Sequence, residues 1–433
     1  MKRLFSGAVT VFVSTLLYVM AGSLARAQTL TEDVIPENFI RDRSVGVLER
    51  KRPGYDAIPV QVGSFDLLSS LDAGVVYDNN ILARSDLKEA DEIGVVGGKA
   101  QLISNWASNS LELDAHAEHD GNVHYGSESE TIGGVAALGQ LDISRDLQLR
   151  GRIGFDHLFE PRLSSGAPTF TRNPVEYNRG IAEIAALKTF NRLTLELAEN
   201  HRTLHYDNAQ DLTGAVVAQG YRNEDRDRIT ARADYAVSPD TAVFVQAVGS
   251  FRNFPSRTGL PEDLNRNSIG GEVAGGVRLD LPKLVSGEAA LGYIVETFND
   301  PRIANASGFG ARGRLEFFPT GLTTVTFDGL REFTDSALAL SPLVLFSSAG
   351  AEVDHELYRN IILTGRFNYQ QDQYLNINRR DNRPSVTLGV NYLMNRRAYW
   401  KLSDTFLRQD STSNDKSQTY SDNQLTLVLT LNY

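Results

Sequence analysis

The stretch LTLVLTLNY, residues 425–433, decides the fold of this chain. Leucines and a terminal tyrosine occupy its odd positions, and mostly polar residues occupy its even positions. Successive side chains of a β-strand point to opposite faces, so this alternation predicts a strand with one apolar and one mostly polar face. A strand of this kind that ends on an aromatic residue is typical of the strand that closes a bacterial outer-membrane barrel.

The first 27 residues have the three parts of a secretory signal peptide. Lys2 and Arg3 form a basic start, positions 8–20 are apolar, and Ala25-Arg26-Ala27 matches a small-residue cleavage site. The apolar run is short for a membrane-spanning helix. The sequence therefore predicts a signal peptide at 1–27 and an exported mature chain that begins at Gln28.

The composition excludes several classes of protein. The formal charge is -11, and removal of the cations Lys2, Arg3 and Arg26 with the signal peptide makes it -14, which argues against a nucleic-acid partner. The chain has 0 cysteines, so neither disulfides nor thiolate metal sites support its fold. Mean hydropathy is -0.26, and no second apolar run approaches ~20 residues, which excludes a helical membrane protein.

The same strand pattern recurs from Phe65 onward. Stretches of about ten residues alternate apolar with polar or small side chains, and no helical period of 3.6 competes with this alternation. The clearest of these predicted strands lie at 111–120, 147–155, 229–237, 243–251, 309–317, 323–333 and 361–369.

The connections between these strands alternate between short and long. Short turns are predicted at 105–108, 144–146, 190–192, 238–240, 281–283, 319–321, 358–360 and 395–397. Long polar connections are predicted at 82–91, 125–129, 161–173, 207–222, 255–265, 299–307, 335–342, 373–382 and 409–420. This alternation predicts an all-β fold, a transmembrane antiparallel up-and-down β-barrel of about eighteen strands at 63–433. Its short turns and both termini would be periplasmic and its long loops extracellular. A soluble β-solenoid or adhesin sandwich would instead show a regular repeat or turns of similar size.

Residues 28–62 precede the predicted barrel. Positions 31–49 are acidic and mixed in character, and Lys51-Arg52-Pro53 is typical of a linker. We expect this segment to form a short periplasmic extension.

The two faces of the predicted strands have different chemistry. The outward faces carry aliphatic residues, with aromatic side chains near strand ends that fit interfacial girdles: Tyr177, Phe251, Phe317, Phe333, Tyr369, Tyr392 and Trp400. The inward faces carry charges of both signs. These candidate lumen-lining residues are Glu112, Asp114, Glu118, Arg150, Arg152, Asp156, Glu196, Arg228, Arg232, Asp234, Arg312, Arg314, Asp328, Glu352, Asp354 and Arg366. A barrel of this size is too wide for side chains alone to fill, so these charges predict a hydrophilic lumen, even if each one mainly pairs across strands.

No catalytic, cofactor or metal site stands out in the sequence. His116 and His119 are three residues apart and would face opposite sides of a strand, which makes a shared metal site unfavourable. The neighbouring acids Asp114, Glu118 and Asp120 could bind a divalent cation, but a solvated acidic face is the simpler interpretation. Residues 207–222 contain Gly, Ala and Val and could fold inward as a constriction.

Three short motifs resemble the entrance to the barrel in the putative β-barrel porin 2 family. They are RPGYD at 52–56, GSF at 63–65 and YDNNI at 77–81. Ser69 stands where members of that family often have a proline. Beyond these motifs, the resemblance in layout covers nearly the whole mature chain.

The resemblance implies a role in the export of an exopolysaccharide or capsular polysaccharide. The barrel would sit in outer-membrane lipid as the conduit for the polysaccharide, and residues 28–62 would dock a periplasmic polysaccharide-export protein. Two alternatives stay open. One is a diffusion porin for small hydrophilic solutes, and the other is a structural or adhesive surface barrel with a plugged lumen. An enzyme is the least favoured class.

Overall fold

The computed structural model of the protein describes residues 45–164, 166–168, 170–260 and 264–433. The predicted signal peptide and residues 28–44 of the predicted extension lie outside this range. In the described part of the chain the regular structure is almost entirely β-strand, with short 3₁₀ turns at Gly126–Glu128, Gly220–Arg222 and Lys416–Gln418. Among the described residues, no helix has the length and apolar character needed to cross a membrane.

The described chain forms 21 β-strands, three of which are very short. The short ones are β1 Val60–Val62, β9 Ala209–Gln210 and β10 Val216–Val217. The first seven long strands are β2 Phe65–Asp78, β3 Asp91–Ser104, β4 Ser110–Asn122, β5 Glu130–Ser144, β6 Leu147–Glu160, β7 Val175–Phe190 and β8 Leu193–Tyr206. The next six are β11 Glu224–Ser238, β12 Thr241–Asn253, β13 Ser268–Leu281, β14 Val285–Phe298, β15 Ala306–Thr320 and β16 Thr323–Asp335. The last five are β17 Leu343–Tyr358, β18 Ile361–Tyr374, β19 Arg379–Asn395, β20 Ala398–Ser411 and β21 Tyr420–Asn432.

The eighteen long strands form one closed antiparallel barrel. Each pairs with its neighbours in the chain, and β8 pairs directly with β11. Closure comes from β2 and β21, which pair from Ser70↔Asn432 to Asp78↔Gln424. Closure removes the unpaired backbone edges that an open sheet would expose. The predicted all-β, up-and-down barrel of about eighteen strands is confirmed.

Short and long connections alternate around the barrel, as predicted. One end, here called the short-turn end, has connections such as 145–146, 191–192 and 396–397. The opposite, long-loop end carries the longer connections, including 161–174 and 207–223. One predicted connection is wrong in extent: 373–382 was expected to be a long loop, but Tyr374 pairs with Arg379, so only 375–378 lie outside the strands. The assignment of the short-turn end to the periplasm stays a prediction.

The two faces of the barrel wall differ in exposure as the alternation predicts, most clearly in β21. In β21, Leu425, Leu427 and Leu431 are exposed, whereas Val428 and Thr430 on the other face are buried. Exposed aliphatic side chains occur all around the outside of the barrel, which is the surface that a transmembrane barrel presents to lipid. We call this the outer face, and the opposite one the inner face.

One of the predicted girdle aromatics is on the wrong face. Phe251, Tyr369 and Tyr392 are exposed as expected, but Tyr177 is buried. Its ring stacks on Tyr206 with 5.0 Å between centroids, and both lie in a small apolar cluster under the loops. Odd-numbered side chains of β7 face inward. That Tyr177 lies near a strand end does not reveal which face it occupies.

The described part of the predicted extension contacts the short-turn end. We call residues 45–56 the N-terminal strap. Val47 of the strap is buried, and its backbone N–H donates to Thr324 Oγ1 at 2.9 Å. Arg52 Nη2 donates to the Val47 carbonyl at 2.7 Å and to Glu356 at 2.9 Å. Thr324 and Glu356 are on inner faces, so the strap lies at the mouth of the barrel interior. β1 then pairs with the first residues of β2.

A pair of neighbouring substitutions in β19 tests the assignment of faces. Leu388 is exposed on the outer face, and Thr387 lies on the inner face beside Thr405. We expect Leu388→Arg to lower the free energy of unfolding in lipid vesicles by about 2–4 kcal/mol, because the charge must enter hydrocarbon. Thr387→Arg should cost about 1 kcal/mol or less, since it loses one weak hydrogen bond. Guanidinium titration measures both values, and the reverse order would contradict the assignment.

Candidate functional site

The inner faces of the barrel strands carry charged side chains of both signs. All sixteen charged positions named from the sequence lie in barrel strands, at positions that alternate with the outer-face residues. Most of the pairs that they form join different strands, so the charges are organised as clusters along the wall. Two clusters are particularly well connected.

The first cluster surrounds Arg366 on β18. Its guanidinium is 2.9 Å from the carboxylate of Asp328 and 3.2 Å from that of Glu352. Asp354 lies two residues further along β17 from Glu352 and accepts a hydrogen bond from Thr364 at 2.6 Å. These side chains are only partly buried apart from Asp354, so the cluster presents polar atoms to the interior.

The second cluster surrounds Arg232 on β11 and is more deeply buried. Arg232 is 2.9 Å from both Asp234 and Glu288, and its guanidinium lies 3.7 Å from the centroid of the Phe244 ring. Arg278 adds a second cation, at 3.4 Å from Asp234 and 3.2 Å from Glu288. Two arginines and two carboxylates therefore neutralise each other in one place.

Several other predicted residues pair with side chains that the sequence analysis did not name. Arg312 bonds to Glu272, Arg314 lies 3.1 Å from Glu316, and Asp156 lies 3.0 Å from Arg179. The partners follow the same alternation with apolar residues, so the strand pattern could have identified them. Arg150 contacts the amides of Gln140 and Gln148, and Glu112 contacts Gln101.

Loops at the long-loop end meet across the interior. Leu163, from the connection between β6 and β7, packs in a buried cluster with Ala83, Leu407 and Tyr420. These partners lie in the β2–β3 connection, in β20 and in β21, so the loop 161–174 reaches inward past several strands. Apolar packing of this kind holds it there.

The loop 207–223 pairs with the loop 161–174 at Thr171↔Asp211, and its last residues continue the same inward assembly. Leu212 and Val216, in its β9–β10 hairpin region, are exposed, whereas Gln219, Tyr221 and Arg222 are buried. Tyr221 Oη donates to the Ala337 carbonyl at 2.7 Å, which joins this loop to 336–342. Described residues of four loops, 161–174, 207–223, 254–267 and 336–342, therefore meet at this end of the interior. A constriction formed by 207–222 stays a prediction.

A cavity of about 180 Å³ lies beneath these loops, here called the loop cavity. Residues from both sides of the barrel line it, including Arg202, Arg252 and Asp335. Asp335 is 2.6 Å from Arg252 and 3.3 Å from Arg202. Arg266, from the loop 254–267, also lines the cavity. Arg202 and Arg252 face inward in strands of regular alternation, whereas no sequence pattern would place Arg266.

Within the part of the chain that the structure describes, one group of side chains has the geometry for a metal ion. Asp91, Glu92 and His124 lie at the long-loop end with their ligand atoms within 4.8 Å of one another. Asp91 already accepts hydrogen bonds from the backbone N–H groups of His124 at 3.0 Å and Tyr125 at 2.9 Å. Through these contacts the buried carboxylate of Asp91 holds the backbone of the loop 123–129 in place.

The chain matches one protein-family model. The model is described as putative beta-barrel porin 2, and the match spans residues 52–433, which include all of the barrel and part of the strap. No curated protein sequence matches the chain.

Solved structures of outer-membrane proteins resemble the chain in fold. OccAB3 of Acinetobacter baumannii is 11% identical, with 86% of this chain and 100% of that chain covered and a TM-score of 0.45. A BenF-like porin of Pseudomonas fluorescens Pf-5 is 12% identical, with coverage of 85% and 99% and a TM-score of 0.46. OccK2 (OpdF) of Pseudomonas aeruginosa is 10% identical, with coverage of 84% and 97% and a TM-score of 0.47.

The Arg232 cluster should contribute to stability because it is buried. Arg232→Met would leave Asp234 and Glu288 with Arg278 as their remaining cation, and we expect a loss of about 3 kcal/mol of unfolding free energy. The matched control is Arg408→Met, which removes an exposed pair with Asp410 and should cost less than about 1 kcal/mol. Guanidinium titrations in lipid vesicles measure both values. Equal losses of unfolding free energy in the two variants would show that the buried cluster stabilises the protein no more than an exposed pair does.

Proposed function

This chain belongs to the putative β-barrel porin 2 family, and from that premise we propose that it is a channel for small hydrophilic solutes. It is a β-barrel of porin type, and the apolar outer face of the barrel supports a location in the outer membrane of a Gram-negative bacterium. Porins are channels and carry out no chemistry. The observation that carries the proposal is a charged inner wall that loops narrow at one end.

The width of the barrel supports an open interior. Barrels of 16–18 strands have a lumen too wide for their side chains to fill, and such a lumen holds water. Partly exposed charges, such as Arg366 with Glu352 and Asp328, are stable there because water contributes to their solvation. An aqueous path lined in this way admits polar solutes.

The inward loops support a size limit. The loop cavity has a volume of about 180 Å³, and a protein cavity of ~150 Å³ can hold a molecule of the size of benzene. The cavity therefore has the dimensions of a small organic solute. A folded or branched polymer would need the loops 161–174 and 336–342 to leave the interior.

Export of an exopolysaccharide or capsular polysaccharide is the second candidate function. Two features of the short-turn end favour export. They are the N-terminal strap and the exposed apolar residues that follow the strap, Ile58, Val60 and Val62. If this end is periplasmic, these residues offer a surface on which a periplasmic polysaccharide-export protein could dock. A clean deletion strain separates the two candidates: reduced uptake of small solutes with normal polysaccharide supports the porin, and lost polysaccharide with normal uptake supports the conduit.

Substitution of two lumen-lining cations tests the channel directly. Arg312 and Arg314 are on the inner face of β15. We expect the double variant Arg312→Ala, Arg314→Ala to shift ion selectivity toward cations, because two positive charges leave the wall while Glu272 and Glu316 stay. The reversal potential in a planar bilayer under a salt gradient measures this shift.

The matched control for this experiment is Arg408→Ala, which removes an exposed cation from the outer face. Its selectivity should equal that of the unmodified protein. Unchanged conductance and selectivity in the double variant would contradict an open lumen and favour a structural or adhesive barrel with a plugged interior.

A further inference from the structure

The N-terminal strap contains the motif RPGYD at 52–56, and in the structure this motif is a tight turn. The backbone N–H groups of Tyr55 and Asp56 donate to the Arg52 carbonyl at 2.7 Å and 2.8 Å. The Asp56 carboxylate accepts from the backbone N–H of Arg52. The turn therefore fixes the backbone of Arg52 on both sides, which determines where its long side chain can reach.

The side chain of Arg52 holds the tip of the strap, residues 46–50. Nη1 donates to the Arg50 carbonyl at 3.1 Å, and Nη2 donates to the Val47 carbonyl at 2.7 Å. The tip is itself a turn, in which the backbone N–H of Arg50 donates to the Gly46 carbonyl at 3.1 Å. The motif and the tip are thus joined by hydrogen bonds within the strap, so they can move together as one unit.

The strap crosses the short-turn end from the rim towards the interior. Arg396, in the turn between β19 and β20, donates from Nε to the Pro53 carbonyl at 2.8 Å. At the other end of the strap, Val47 is bound to Thr324 on β16. Strands β17 and β18 lie between these two contacts. Because Thr324 is on the inner face, the tip of the strap lies inside the mouth of the barrel.

Glu356 on β17 is the electrostatic anchor of the tip. Its carboxylate lies 2.9 Å from Arg52 Nη2 and 3.5 Å from Arg50 Nη1. Val47 adds one buried apolar side chain, whereas most other strap residues are exposed or half-buried. A segment held in this way opens more easily than a barrel strand, which is hydrogen-bonded along both edges.

We propose that the N-terminal strap is a gate for the short-turn mouth of the channel. This inference rests on the proposed channel function. In the closed state the tip lies in the mouth against Thr324 and Glu356. In the open state the pairs with Glu356 break, and the strap swings away about the link 57–59, while β1 stays paired with β2.

Removal of the anchor tests the gate. Glu356→Gln keeps the size of the side chain and removes its charge. With the full mature chain in a planar bilayer, the ratio of open to closed dwell times should rise about tenfold, since a charge-assisted contact is lost. The matched control is Asp146→Asn, which removes an exposed carboxylate at the same end that pairs with Lys188. Its dwell times should equal those of the unmodified protein, and equal dwell times in Glu356→Gln would overturn the gate.

An engineered disulfide tests the position of the tip, in a chain that has 0 cysteines of its own. The Val47 backbone already contacts the Thr324 side chain, so Val47→Cys with Thr324→Cys places two thiols within reach of each other. Oxidation should abolish the open level, and dithiothreitol should restore it. The control is Thr387→Cys with Thr405→Cys, which lie opposite each other in β19 and β20. A disulfide there should leave the dwell times unchanged.

Thiol labelling measures the strap without transport. In the single variant Val47→Cys the thiol is buried, so maleimide should react slowly, and adding Glu356→Gln should accelerate the reaction about tenfold. Fast labelling while Glu356 is present would overturn the closed state.

The remaining outcomes are also decisive. Open events that persist after mass spectrometry confirms the disulfide would overturn the gate. Faster labelling in Glu356→Gln with unchanged dwell times would also overturn it, because the strap would then move without narrowing the channel. If the unmodified protein carries no current, the channel function fails, and labelling alone judges the strap. Acceleration by Glu356→Gln would then support a releasable strap, and equal labelling rates would overturn it.

Discussion

The pairing of β2 with β21 is the constraint on which the rest of the structure depends. Without it, two strand edges would expose backbone N–H and C=O groups, which hydrocarbon cannot hydrogen-bond. With the barrel closed, each of the eighteen long strands has two neighbours, and the sheet has a defined inside. The alternation of side chains then assigns each residue to lipid or to the interior, because a shift of one residue in register would exchange the two faces.

The charged interior follows from this geometry. Residues such as Arg232 and Arg366 sit on inner faces beside acids from neighbouring strands, so cations and anions meet at short range. Where the wall is partly exposed, water shares in the solvation of the pairs. Under the loops it does not, and each arginine there needs a partner of its own. Arg252 pairs with Asp335, whereas Arg266 contacts, among the described residues, two carbonyl oxygens and the rings of Tyr221 and Phe254.

The alternation of apolar and polar side chains identified the fold because it depends on neighbouring residues and recurs along the barrel strands. The number of strands and the inner position of the sixteen charged residues could be read from side chains that alternate between two faces. The order of short and long connections could be read from the residues between the strands. The loops have no such period. The inward packing of Leu163 and the buried position of Arg266 depend on contacts between segments far apart in sequence. Tyr177 shows the same limit within a strand, since a position near the strand end did not reveal its face.

The amino-acid sequence by itself determined the barrel, its two faces and the family, because alternation and turn chemistry act between neighbouring residues. Only the tertiary structure decided which charges pair, how far the loops enter and where the strap docks. Those features arise when closure brings distant segments together, as with Arg52 and Glu356 or Tyr221 and Ala337. The physical reason is that strand formation depends on local spacing, whereas the contents of the lumen depend on long-range contacts.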